Sequence, residues 1–189
     1  ARLRDFDERE VAWQTAVIRA NTTPATSPNA ADAFRALLKS DVAATDTAFA
    51  LESDRVAAEI SDHAIRRGGS ASWIGLDWMG DAEVFQLAPL GPDLYNGVSG
   101  IAVFLAAHSA VAGHAPSAEL ALAALSHLRR KLKDRNAARF ARSLGIGGAT
   151  GLGSLAYALT VIARSLDNAD LLADAHVASS LITDELIAA

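Results

Sequence analysis

Gly97-Val-Ser-Gly-Ile-Ala-Val-Phe-Leu105 and Gly151-Leu-Gly-Ser-Leu-Ala-Tyr-Ala-Leu159 repeat one pattern at an offset of 54 residues. In each, closely spaced glycines lead straight into apolar residues, as at the start of a helix whose backbone must pass close to another. The segments that follow keep the offset. Leu120, Leu128 and Leu132 fall opposite Asp174, Ile182 and Leu186, an apolar match at two positions of three. A period of about 50 residues holding two helices is that of a helical-hairpin repeat, each unit burying its apolar face against the next. Two copies neither close a ring nor cap a solenoid, so they are expected to belong to a larger array.

Upstream of the first copy lie the signals that are not helical. Ser72 to Leu90 holds two tryptophans, Gly75, Gly80 and the alternating run Val84-Phe85-Gln86-Leu87. This predicts a β-hairpin, Trp73 to Trp78 and Val84 to Ala88, joined through Met79-Gly80-Asp81. Pro89 and Pro92 then lead to the first glycine motif. Earlier still, the spacing predicts a helix over 6–20, with Phe6, Trp13, Val17 and Ala20 on one face, a polar loop over 21–29, and a helix over 30–39. A third helix, capped by Asp41 or Thr45, is expected to run to about Arg67 on the apolar set Val42, Phe49, Val56 and Ile60. Gly68-Gly69-Ser70 would end it. The fold class is therefore mainly α with one short β-hairpin near 73–88, divided into a helical region 1–70 and a repeat region 71–189.

Composition narrows the function classes. The chain is 51% hydrophobic and 21% charged over 189 residues, enough to bury a core. A net charge of −5 gives no broad basic surface for nucleic acid. There is no cysteine, which excludes disulfides, thiolate metal sites and a thiol nucleophile within this chain and accords with a cytoplasmic location. The longest apolar run, Val98 to Ala112, falls short of the roughly 20 residues of a membrane span and contains His108. The charged start, Ala1 to Glu10, is no signal peptide. The missing initiator methionine and the closing Leu-Ile-Ala-Ala suggest a segment of a longer polypeptide.

Backbone N–H groups at a glycine-rich helix start can hold an anion or a peptide carbonyl. Gly147 to Gly153, however, follows no strand and ends in no Lys-Ser or Lys-Thr, so it is neither a P-loop nor a dinucleotide site. Close packing of neighbouring hairpins is the expected role of these glycines. None of His63, His108, His114, His127 and His176 pairs at the i, i+4 spacing of a helical zinc site. His108 is expected to be a hydrogen-bonded packing residue. Asp77, Asp81 and Glu83 read as solvated turn carboxylates, Asp93 as a cap of the helix start and Tyr95 as a packing residue. Arg129 to Arg135 suits the negative end of a helix dipole.

Trp73-Ile-Gly-Leu-Asp77, followed by Gln86-Leu-Ala-Pro-Leu-Gly-Pro-Asp-Leu-Tyr-Asn-Gly-Val-Ser-Gly-Ile-Ala-Val-Phe-Leu105, resembles the start of the cyclase domain of class II (LanM-type) lanthipeptide synthetases. Gly148 to Leu159 resembles the next repeat of that LanC-like domain, and Asp7 to Ala20 the end of the preceding dehydratase. The resemblance implies an α/α toroid of which this chain holds the first two hairpins. It also implies a parent enzyme of lantibiotic biosynthesis that phosphorylates Ser and Thr of a precursor peptide with ATP and magnesium, dehydrates them, and adds Cys thiols to the products. Zinc, held by two Cys and one His, would activate the thiol. This chain departs from the pattern: it has no cysteine, the family's zinc and cyclisation residues lie in later repeats, and its phosphoryl-transfer residues lie upstream. No catalytic, cofactor or metal residue is therefore assigned to this chain. The implied partners are the precursor peptide and the rest of the synthetase. Ser154 stands where Gly100 stands in the first repeat, which puts the turn there in question.

Two other readings compete. One is a helical-repeat module that binds peptides without catalysis. The other, a toroidal glycoside hydrolase, needs two positioned carboxylates that the apolar helices lack.

Overall fold

The computed structural model describes residues 45–79 and 84–188. They belong to one compact unit, Thr45–Ala189. The helices expected over 6–20 and 30–39 lie outside the described residues.

The described residues are mostly helical, with two short antiparallel strand pairs. Helix α1 is Asp46–Asp62, and Thr45 caps it as expected, its Oγ1 accepting from Ala48 N at 3.2 Å. It ends earlier than expected. Ile65–Arg67 is not helix but strand β1, paired with β2, Ser70–Ser72. The reason is the glycine pair: Gly68 and Gly69 both take positive φ, +53° and +75°. Two successive left-handed residues make a two-residue hairpin turn that twists with its strands, whereas a helix end needs only one. The face expected for α1 is also revised. Phe49 is exposed, Val56 and Ile60 are half-buried, and Ala57 is the buried residue.

The expected β-hairpin is present. Strands β3, Ile74–Met79, and β4, Val84–Pro89, pair antiparallel with Ile74 opposite Pro89 and Met79 opposite Val84. The connecting turn lies outside the described residues. Trp73, just before β3, is buried and donates its indole N–H to Ile60 O at 2.8 Å, tying the strands to the end of α1.

From Val98 onward the chain is the repeat. Helices α2, Val98–Ala112, and α3, Ala115–Lys133, form one antiparallel hairpin; α5, Leu152–Ser165, and α6, Ala169–Ser180, form the next. Short helix α4, Ala137–Leu144, connects them, and α7, Asp184–Ile187, follows the second hairpin. In stacking, α2 lies on α5 and α3 on α6. The pattern of buried residues explains why. Leu120, Ala124, Leu128 and Leu132 of α3 recur at intervals of four and make one stripe; Leu152, Leu155, Leu159 and Ile162, three and four residues apart in turn, make one on α5. Alanines 102, 106, 121, 158, 175 and 178 are buried between them, and their small side chains let the helix axes approach. The second hairpin is not a faithful copy, because α6 stops at Ser180 where the corresponding stretch of α3 continues.

Candidate functional site

The glycine motifs are two copies of one closed turn. Val98, the first residue of α2, donates its N–H to Gly91 O at 2.8 Å; Leu152, the first residue of α5, donates to Gly145 O at 2.9 Å. Each bond reaches back over the same number of residues. In the second copy Ser154 N also donates to Gly147 O, 3.1 Å. Donors that a helix start normally leaves open are thus turned onto carbonyls of the chain's own loop. This weakens the anion-cradle reading by direct competition for the N–H groups.

The glycines make that fold-back possible. A Cβ on Gly97 would stand 2.5 Å from both Asp93 O and Gly91 O; one on Gly151 would stand 2.9 Å from both Gly145 O and Gly147 O, and closer still to Gly147 N. The expectation of packing between hairpins is corrected here: the close neighbours lie in the same motif. The two motifs do meet, since Tyr95 N donates to Ala149 O at 3.1 Å.

Serine and glycine exchange places between the copies without opening the turn. In the first, Ser99 is fully buried and donates to Pro92 O at 2.5 Å, while Gly100 passes under Leu94 O. In the second, Gly153 passes under Ile146 O and Gly147 O. Ser154, also fully buried, donates to Gly151 O at 2.6 Å and accepts from Gly151 N at 3.2 Å. The turn stays closed at Ser154, but its hydroxyl seals the helix entrance at Gly151, whereas Ser99 reaches back to Pro92 in the loop.

Asp93 and Tyr95 differ from expectation. Asp93 Oδ1 accepts from Asn96 N at 3.0 Å, closing the turn before the helix, and Gly97 is the cap. Tyr95 is 81% exposed and is not a packing residue; its backbone links the motifs.

His108 is buried and hydrogen-bonded, as expected. Its Nε2 lies 2.8 Å from Asp54 Oδ1 on α1, and its Nδ1 lies 2.9 Å from Ser117 Oγ on α3. His114 Nδ1 is also 2.9 Å from Ser117 Oγ. A carboxylate only accepts, so a neutral His108 donates from Nε2 and accepts from the Ser117 hydroxyl; His114 must then donate to Ser117. The chain of bonds has the residue types of a hydrolytic triad. Yet Ser117 is only 3% exposed, out of reach of a substrate carbonyl. It acts as a clasp between α1 and the first hairpin.

Asp174 on α6 is a buried charged residue, fully enclosed. Arg129 Nε donates to its Oδ2, and the Lys133 ammonium stands beside its Oδ1 as an ion pair outside hydrogen-bond geometry. Asp174 is the position opposite Leu120, so the one apolar mismatch in the repeat alignment is a carboxylate neutralised by the neighbouring hairpin. The basic run at the end of α3 thus has more to do than meet the helix dipole.

His63 and His176 are exposed. The turn carboxylates Asp81 and Glu83, and the side chain of Asp77, lie outside the described residues. Zinc, which the resemblance implies for the parent enzyme, needs donors that the described residues do not bring together. The chain has no cysteine, the Nδ1 atoms of His108 and His114 are both engaged by Ser117, and no three His, Asp or Glu converge among the described residues. These residues do not fit the metal, and no step of its chemistry falls to them. Also among the described residues, no helix is long and apolar enough to cross a membrane.

No curated protein matches the chain. The family described as lanthionine synthetase C-like protein matches residues 88–186, just over half of the sequence. That span runs from the end of β4 through both stacked hairpins and both closed glycine turns, and it shows that the chain belongs to the lanthionine synthetase C-like family.

Proposed function

We propose that this chain is the opening portion of the cyclase domain of a bifunctional, class II (LanM-type) lanthionine synthetase, joined at its N-terminal side to the end of the dehydratase. In that reading 71–189 begin the α/α toroid and 1–70 lead out of the dehydratase. The intact cytoplasmic enzyme works on a precursor peptide in lantibiotic biosynthesis. The observation that carries the reading is the family match across both hairpins. The resemblance of 73–105 to the start of the class II cyclase domain supports the finer assignment.

The chain's own contribution is architectural. Its hairpins present two closed glycine turns side by side, joined by the Tyr95–Ala149 bond, and the Asp174 ion pair holds α3 against α6. When bound in later repeats of the parent, zinc supplies the acidity that makes a peptide thiol a thiolate. ATP and magnesium serve the dehydratase.

The test uses a synthetic peptide carrying one dehydroalanine and one cysteine, incubated with the 189-residue chain and zinc. No ring closure above background is expected, and dialysis should strip zinc to far below one equivalent, since the thiolate donors are absent. The longer gene product, carrying Cys-bearing repeats, should close the ring. Ring closure or stoichiometric zinc retained by the 189-residue chain would contradict the proposal.

A further inference from the structure

Asn96-Gly97 sits inside the first closed turn, and it is a pairing with chemistry of its own. Among Asn21, Asn29, Asn96, Asn136 and Asn168, only Asn96 precedes a glycine. A glycine carries no Cβ, so little hinders attack of its backbone nitrogen on the carboxamide carbon of the residue before it. Asn96 is exposed, and among the described residues the Gly97 N–H donates to no acceptor. Both partners of a spontaneous cyclisation therefore lie next to each other, one of them open to water.

Two features of the turn oppose the reaction. The first is Asp93, whose Oδ1 accepts from Asn96 N at 3.0 Å. A carboxamide oxygen cannot bond a carboxylate, so the Asn96 side chain presents its nitrogen, which donates to Asp93 Oδ1 at 2.7 Å and Oδ2 at 3.2 Å. The nitrogen that Asp93 holds is the one that must leave as ammonia. The second is the backbone around Gly97, which is buried, with Asp93 O and Gly91 O so close that no Cβ fits. Rotating the Gly97 nitrogen toward the Asn96 side chain disturbs that packing for as long as the Val98 N to Gly91 O bond stays closed.

We propose that Asn96-Gly97 is a latent modification site, at which the closed turn and its Asp93 clamp hold off succinimide formation, so that the rate follows opening of the turn and not exposure of Asn96. When the turn opens, Gly97 N gives its proton to hydroxide and bonds to Asn96 Cγ. The Cγ–Nδ2 bond breaks, and ammonia leaves with a proton taken from water. Water then adds to one of the two ring carbonyls and cleaves its bond to the Gly97 nitrogen, giving aspartate or isoaspartate. Either product resists reclosure. Aspartate sets a second carboxylate against Asp93, and isoaspartate adds a methylene to the main chain of a tightly packed turn. The inference stands apart from the cyclase reading, because it uses none of that chemistry.

The test ages the 189-residue chain in mildly alkaline buffer, folded and in guanidinium chloride, and follows aspartate and isoaspartate at position 96 by peptide mass spectrometry. The unfolded chain should convert Asn96 at least about tenfold faster than the folded one, a ratio set by how seldom the turn opens. Asp93→Ala, still helical by circular dichroism, should convert several-fold faster than the parent. Asp93→Asn offers an amide oxygen to the same two donors and should stay close to the parent. Asn96→Asp, standing for the product, should speed hydrogen exchange at the Val98 amide. Should Asp93→Ala unfold, the folded-to-unfolded ratio of the parent decides alone. Equal rates in the folded and unfolded chain, a folded Asp93→Ala no faster than the parent, Asp93→Asn as fast as Asp93→Ala, or unchanged Val98 exchange in Asn96→Asp would overturn the proposal.

Discussion

Replacing Arg129 and Lys133 together by methionine should destabilise the folded chain by about 3–5 kcal/mol, read from urea unfolding. Asp174 has no exposed surface, and those two cations are the only charges placed against it among the described residues. Their removal leaves a carboxylate in an apolar helix interface with no counter-charge and no exposure to solvent. Lys133 is 55% exposed, so Lys133→Met alone should cost about 1 kcal/mol or less, as for a solvated pair. The decisive arm adds Asp174→Leu to the double variant. That change installs the residue type found opposite it in the first hairpin, Leu120, and should recover most of the loss, because well-packed apolar replacements of buried ion pairs are often neutral. A double variant as stable as the parent would mean Asp174 finds water. A triple variant as unstable as the double would mean the cations serve packing alone.

Gly97→Ala should cost about 2–3 kcal/mol, more than its effect on backbone freedom explains. The added carbon would press on Asp93 O and Gly91 O at 2.5 Å and on Asp93 N at 2.7 Å. All three are backbone atoms, so no side-chain rotation relieves the clash. Relief requires the 91–97 turn to lift, which breaks the Val98 N to Gly91 O bond. Gly148→Ala is the control. A Cβ there meets nothing within 4 Å, so its thermal or urea midpoint should move by no more than about 0.5 kcal/mol in equivalent stability. Equal effects at the two glycines would show that sequence composition, not close approach, sets the cost.

The mainly helical class and the repeat were legible because the 54-residue offset aligns glycines and apolar positions together. The hairpin of β3 and β4 was legible from alternation. The hairpin of β1 and β2 was not: Ile65-Arg-Arg67 continues the helical pattern of α1, and Gly68-Gly69 serves equally as a helix stop or a two-residue turn. Only the pairing of Arg66 with Ala71 decides it. The family was legible in 73–105, and the match over 88–186 agrees with it.

At the candidate site, the burial of His108 was readable from its apolar helix. Its partners were not, because Asp54 sits on another helix with no local signal connecting them. Asp174 left a trace, since it is the polar residue at an apolar repeat position. The importance of Arg129 left none: inside a basic run every cation looks alike, and only the stacking of α3 on α6 singles it out. The glycines were given the right tightness and the wrong neighbours. Spacing shows that a backbone passes close but does not show whose.

Both helix starts are closed by their own loops through an N–H bonded seven residues back, and native-state hydrogen exchange of the Val98 and Leu152 amides reads that closure. First-turn amides normally face water and exchange quickly. Here both should be protected to the same extent as amides in the middle of α2 and α5, since each is bonded to a loop carbonyl, Gly91 O or Gly145 O. Exchange at the rate of an unprotected amide at either position would contradict that closure.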